Sequence, residues 1–205
     1  MTAETMTMPT AEATIHPGWV RVCHWINALA ILVMIGSGWQ IYDASPLFRF
    51  EFPKAIALGN WLGGALLWHF AAMWVLVVNG LVYVTLGLAT GRFRRKLLPI
   101  YPSQVLADAK AALTFKLKHD DLSHYNAVQK VLYTGVILCG VLIVLSGLAI
   151  WKPVQFQELT ALFGGYDAAR YVHFFAMSAI VGFIVIHVVL ALLVPKSLRA
   201  MIAGK

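Results

Sequence analysis

The sequence predicts an all-α membrane protein, a bundle of four transmembrane helices. Of its 205 residues 60% are hydrophobic and only 12% charged, and the mean hydropathy is +0.75, which is membrane-protein composition. Four apolar runs, at about residues 19–42, 58–90, 131–151 and 171–194, are each long enough to cross a hydrocarbon layer of about 30 Å. Lys and Arg gather in the segments that four crossings place on one side.

Residues 1–15 are small and polar, without the basic start and apolar core of a cleavable signal, and read as a disordered tail. The first span carries His24 about five residues inside, with Trp19, Trp39 and Tyr42 as interfacial anchors. Residues 43–57, with Pro46 and Pro53, form a loop. The second span is longer than a bilayer requires and should tilt or protrude. His69 lies nearer its start, and Asn79 suits a buried interhelical hydrogen bond. Gly91 ends the span before the basic cluster Arg92, Arg94, Arg95 and Lys96.

Residues 97–125 make the longest loop, where Ser103 is placed to cap an amphipathic helix lying on the membrane surface. The third span has no histidine but carries Gly135, Gly140 and Gly147, small residues that let helices or a flat ligand approach closely. Residues 152–170 lead through Gly164 and Gly165 to the fourth span, which ends at Pro195, and residues 201–205 read as a C-terminal tail. Residues 16–200 thus form one membrane domain.

Four crossings put both termini and the 91–130 connection on one side with twelve of the sixteen Lys and Arg; Arg49, Lys54, Lys152 and Arg170 fall on the other. The basic side is expected to be cytoplasmic, in a bacterial inner membrane. The net charge of +7 is accounted for in this way, so no nucleic-acid partner is implied. Cys23 and Cys139 stand alone inside apolar runs, which supports neither a c-type haem attachment nor an iron–sulfur cluster.

The fourth run, YVHFFAMSAIVGFIVIHVVLALLV, contains two histidines and no other ionisable side chain inside it. His173 and His187 are separated by about 40° around a helix and about 21 Å along it, one face at two depths. Imidazole in hydrocarbon is costly enough to need a partner. With the orientations above, His187 shares the cytoplasmic level with His24, and His173 shares the outer level with His69. Each pair can give two axial nitrogens to one iron, which predicts two b haems enclosed by the bundle. Iron so held has no open position and suits electron transfer. His16, His119 and His124 fall in tail or loop and read as solvated surface residues, with a lesser option that His124 serves quinone protonation.

The chain here resembles the bacterial cytochrome b561 superfamily, the four-helix cytochrome b subunits of formate dehydrogenase, nickel–iron hydrogenase and thiosulfate reductase. The resemblance covers nearly all of residues 16–200. It rests on RVCHW, HFAAMWVLVVNGLVY, YNAVQK, SGLAIWKP and the pair of histidines separated by thirteen residues, in that order and at those depths. It implies the same haem pairing, and a quinone pocket at the cytoplasmic haem lined from the loop before the third span. Carried over, that points to Asn126 and Gln129, whose other reading is helix capping and surface solvation. Arg21, Lys152 and Arg170 lie at depths that suit haem propionates.

The expected function is a di-haem cytochrome b that carries electrons between an outer-side oxidoreductase or iron–sulfur subunit and the quinone pool, reducing quinone near the cytoplasm. Membrane lipid and quinone are its other partners, and a homodimer is left open. Whether the chain counts as an enzyme in its own right is open too. One rival keeps the haems in a self-sufficient superoxide:quinone oxidoreductase, which needs an outer basic funnel. Another is a histidine-relay proton or metal transporter, which needs broken helices or repeats.

Overall fold

The computed structural model describes residues 15–114 and 125–204. Its helices are α1 (Gly18–Ala44), α2 (Leu62–Ala89), α3 (Arg92–Leu97), α4 (Pro102–Leu113), α5 (Ala127–Trp151), α6 (Gln157–Leu162), α7 (Tyr166–Leu193) and α8 (Pro195–Ala203), with no strand among the described residues. Four of them, α1, α2, α5 and α7, are long and apolar enough to cross a membrane. The fold class predicted from the sequence is the fold observed.

The helix ends differ from the hydropathy limits for local reasons. α2 starts at Leu62 because Gly59 and Asn60 turn the chain with φ of +114° and +62°. A Cβ on Gly59 would also lie 2.4 Å from the Ala65 nitrogen, so only glycine fits. α5 starts four residues before the apolar run, at a capping box: Asn126 Oδ1 accepts from the Gln129 amide at 2.8 Å, and Gln129 Oε1 accepts from the Asn126 amide at 3.1 Å. α7 includes the polar turn from Tyr166, released by Gly164 and Gly165 at positive φ, with Asp167 favourably placed near the helix N-terminus. α4 begins at Pro102 rather than behind a Ser103 cap, since proline's fixed φ suits a first helical position.

The spans pack as two antiparallel pairs, α1 along α2 and α5 along α7. Inside the first pair, buried Asn79 donates through Nδ2 to the Cys23 carbonyl at 2.8 Å and to Asn27 Oδ1 at 2.7 Å, the bond expected of it. The pairs meet through side chains: Tyr42 with Phe174, and Phe70 with Trp151, have ring centroids 5.3 and 5.1 Å apart. Burial is inverted relative to a soluble bundle. Ala65, Ala149 and Ala169 are fully buried, while Leu67 and Leu192 are 75% and 67% exposed. Hydrocarbon rewards no burial of leucine, so close backbone approach at small residues supplies the packing.

The first and last described residues meet at one end of the bundle, the terminal end below; the opposite end is the far end. The Ile15 amide donates to the Gly204 carbonyl at 3.0 Å, and Arg21 donates to the Ile202 carbonyl at 2.9 Å. Residues 201–203, read from sequence as tail, are thus the last turn of α8. His16 corrects a second expectation: it is buried, and its Nδ1 accepts from Arg92 Nη2 at 3.2 Å. Short links tie its backbone under α8, so a tail position does not mean solvation. His119 and His124 lie outside the described residues.

Burial first, then the nearby Arg92 and Lys96 charges, pulls the His16 pKa down to about 4. An unfolded chain titrates this imidazole near 6.5 and so binds the extra proton first as pH falls. Stability from His16 is therefore intact above about 6.5 and lost between there and about 4, by at most about 1.4 kcal/mol per pH unit. The thermal midpoint in detergent is expected to fall more steeply over that window for the wild type than for His16→Ala; equal slopes would refute this.

Candidate functional site

The four intramembrane histidines stand at two levels, as their depths predict. At the terminal end, His24 of α1 and His187 of α7 face each other with ring centroids 5.9 Å apart and planes 62° apart. His24 packs edge-on against Trp25, and His187 stacks on Phe183 at 5.5 Å. The other two are His69 of α2 and His173 of α7, each against a serine of the neighbouring helix.

Each histidine of the second level is seated by a serine on the helix paired with its own. Ser37 Oγ of α1 is 3.0 Å from His69 Nδ1, and Ser146 Oγ of α5 is 3.1 Å from His173 Nδ1. Sequence reasoning passed over both serines, because a lone serine in an apolar run looks like filler. The available signal was that each is followed by glycine near the same end of its span.

The structure gives the other predicted residues local partners. Asn126 and Gln129 spend their amide oxygens in the α5 capping box, leaving both NH₂ groups as donors. Arg170 donates to the backbone carbonyl and, at 3.2 Å, to the hydroxyl of Ser45, tying α7 to the end of α1. Lys152 Nζ stands 5.0 Å over the Trp151 ring. Arg21 bonds through Nη1 to α8, but its buried Nε has no partner among the described residues. Thr134 Oγ1 and Trp39 Nε1 are likewise buried and unpaired, so each level retains a polar group that needs something to bond.

Aromatic contacts connect the α5 N-terminus to the first level. Tyr125 contacts Tyr133 at 4.9 Å, Tyr133 contacts Phe183 at 6.3 Å, and Phe183 stacks on His187. Burial pushes the Tyr125 phenol up, opposed by the adjacent Arg92 guanidinium. An apolar groove of 210 Å³ between α5 and α7 includes Val131, Gly135, Ile180 and Phe183 in its lining.

A family model described as prokaryotic cytochrome b561 matches residues 15–204. The chain belongs to that family. It is 54% identical over 190 residues, 93% of this chain and 96% of the relative, to the "Putative protein-methionine-sulfoxide reductase subunit YedZ1" of Azospira oryzae. It is 24% identical over 186 residues, 82% of this chain and 73% of the relative, to the "Probable Ni/Fe-hydrogenase B-type cytochrome subunit" of Bradyrhizobium diazoefficiens. The chain is thus a membrane cytochrome of the b561 family, whose members' names place them in electron transport, and the family implies haem b.

The residues present fit that group. His24 and His187, whose rings face each other at 5.9 Å, would be the residues that hold an iron between them. The unpaired Arg21 Nε on the same helix as His24 is a donor of the kind a propionate takes up.

Proposed function

We propose that this cytochrome is the membrane-embedded electron-transfer subunit of an oxidoreductase, holding one haem b between His24 and His187 and a second between His69 and His173. The observation that carries the reading is the His24–His187 spacing, at a level matched on the same α7 by a second histidine pair. A haem held by these histidines would supply one-electron transfer. Arg21 is the propionate partner at the first level, and Lys152 and Arg170 are the candidates at the second. The transporter reading loses its support, since the four spans run as continuous helices of 25 to 28 residues.

The positive-inside distribution supports a cytoplasmic terminal end in a bacterial inner membrane, with the His69 level near the outer face. Quinone is proposed to react at the terminal end, its tail along the α5–α7 groove and an oxygen within reach of the Asn126 and Gln129 NH₂ groups. The identity of 54% to a protein with a reductase-subunit name supports a protein-methionine-sulfoxide reductase as the partner at the outer face. A reductase consumes electrons. The direction proposed is therefore from quinol, oxidised near the cytoplasm, outward to the partner, the reverse of the quinone reduction expected from sequence.

In membranes of the source organism, added quinol is expected to bring up the reduced b-type absorbance, and oxidised protein methionine is expected to discharge it. A cytochrome that quinol cannot reduce would contradict the quinone site. One that quinol reduces but methionine sulfoxide leaves reduced would contradict the partner.

A further inference from the structure

Ser37 and Ser146 hold equivalent places in the two helix pairs. Both are completely buried, and each hydroxyl lies against the carbonyl four residues back, Val33 at 2.7 Å and Leu142 at 2.8 Å, as well as against a histidine Nδ1. A serine hydroxyl has one proton to give, and a carbonyl has none. The proton therefore goes to the carbonyl, and Oγ accepts from Nδ1–H. The Met34 and Ile143 carbonyls, 3.2 Å from the same two hydroxyls, can likewise only accept that proton. Nδ1 is thus protonated in both His69 and His173, and the lone pair is on Nε2.

The glycine after each serine completes the seat. A Cβ on Gly38 would lie 3.5 Å from His69 Cε1, and one on Gly147 would lie 3.3 Å from His173 Cε1. Nothing equivalent exists at the other level. Among the described residues His24 and His187 take part in no hydrogen bond, and aromatic contacts set their rings.

We infer that Ser37 and Ser146 are positioning residues that fix His69 and His173 with Nε2 turned to the iron, and that their hydrogen bonds lower the reduction potential of the haem at that level. The inference rests on the ligation proposed above. A donated N–H makes a ligating imidazole more basic, and a more basic ligand favours ferric over ferrous iron. A lower potential at the outer level makes that haem the stronger electron donor to a partner there.

Replacing either serine by alanine removes the oxygen that accepts from Nδ1–H. The expected loss is therefore about tenfold in affinity for the ferric form, the lower end of what such supporting groups contribute. That corresponds to a rise of about 59 mV in a one-electron potential. Potentiometric titration should show this rise in Ser37→Ala and in Ser146→Ala, in the one haem that His69→Ala removes, with the other haem unchanged. Ser37→Thr and Ser146→Thr keep the hydroxyl and should keep the wild-type potential, including where an alanine variant fails to hold its haem. Unchanged potentials in both alanine variants, a shift in the other haem, or equal behaviour of alanine and threonine variants would overturn the inference. Absence of bis-histidine haem from the wild type would instead overturn the ligation itself, before any substitution is made.

Discussion

His69→Ala is expected to lose one of two haems per chain while the other keeps its absorbance and potential. His69 is alone among the four histidines in coming from α2, and its level shares α7 with the His24–His187 level but no ligand. On the proposed ligation, a haem at that level would be left with His173 alone to hold it. The change is read in the reduced-minus-oxidised spectrum and in haem per chain, against His24→Ala, which should lose the other haem. If the two variants lacked the same haem, the pairing by depth would be wrong. If His69→Ala lost both, the two levels would not be independent sites.

The second large effect concerns Asn126 and Gln129, where the capping box decides which substitution is informative. Alanine at Asn126 would remove an N-cap worth about 0.5–2 kcal/mol, so slower chemistry in that variant could be lost helix structure. Asn126→Asp with Gln129→Glu keeps both oxygens of the box, and acidic groups suit a helix N-terminus. It replaces the two NH₂ donors by carboxylate oxygens, which accept but cannot donate. At about 1–3 kcal/mol for each of the two hydrogen bonds left unmade, reduction of the cytochrome by quinol should slow by about 1.5 to 4 orders of magnitude at unchanged haem content and thermal midpoint. Stopped-flow traces at the wild-type rate across quinol concentrations would place the quinone site away from the start of α5.

What the sequence made legible follows from which energies are local. Four apolar runs and four histidines suffice for the bundle and its two levels, because span length and the cost of a lone imidazole in hydrocarbon are read residue by residue. The ends of the spans were less legible. The first turns of α5 and α7, residues 127–130 and 166–170, carry polar side chains and begin at a capping box or behind positive-φ glycines, which hydropathy does not register. The roles of Ser37 and Ser146 were not legible for a different reason: their bonds to histidine cross between helices, and only packing shows that each falls opposite one. The burial of His16 likewise depends on Ile15 meeting Gly204, a contact between residues 189 positions apart in the sequence.

The most direct test of the account is a count of haem and iron in the purified chain, with acid–acetone extraction and low-temperature EPR of the oxidised protein. Two extractable b haems per chain, both low-spin with two imidazole ligands, are predicted. One haem per chain, haem that resists extraction, or iron with an open coordination position would contradict it.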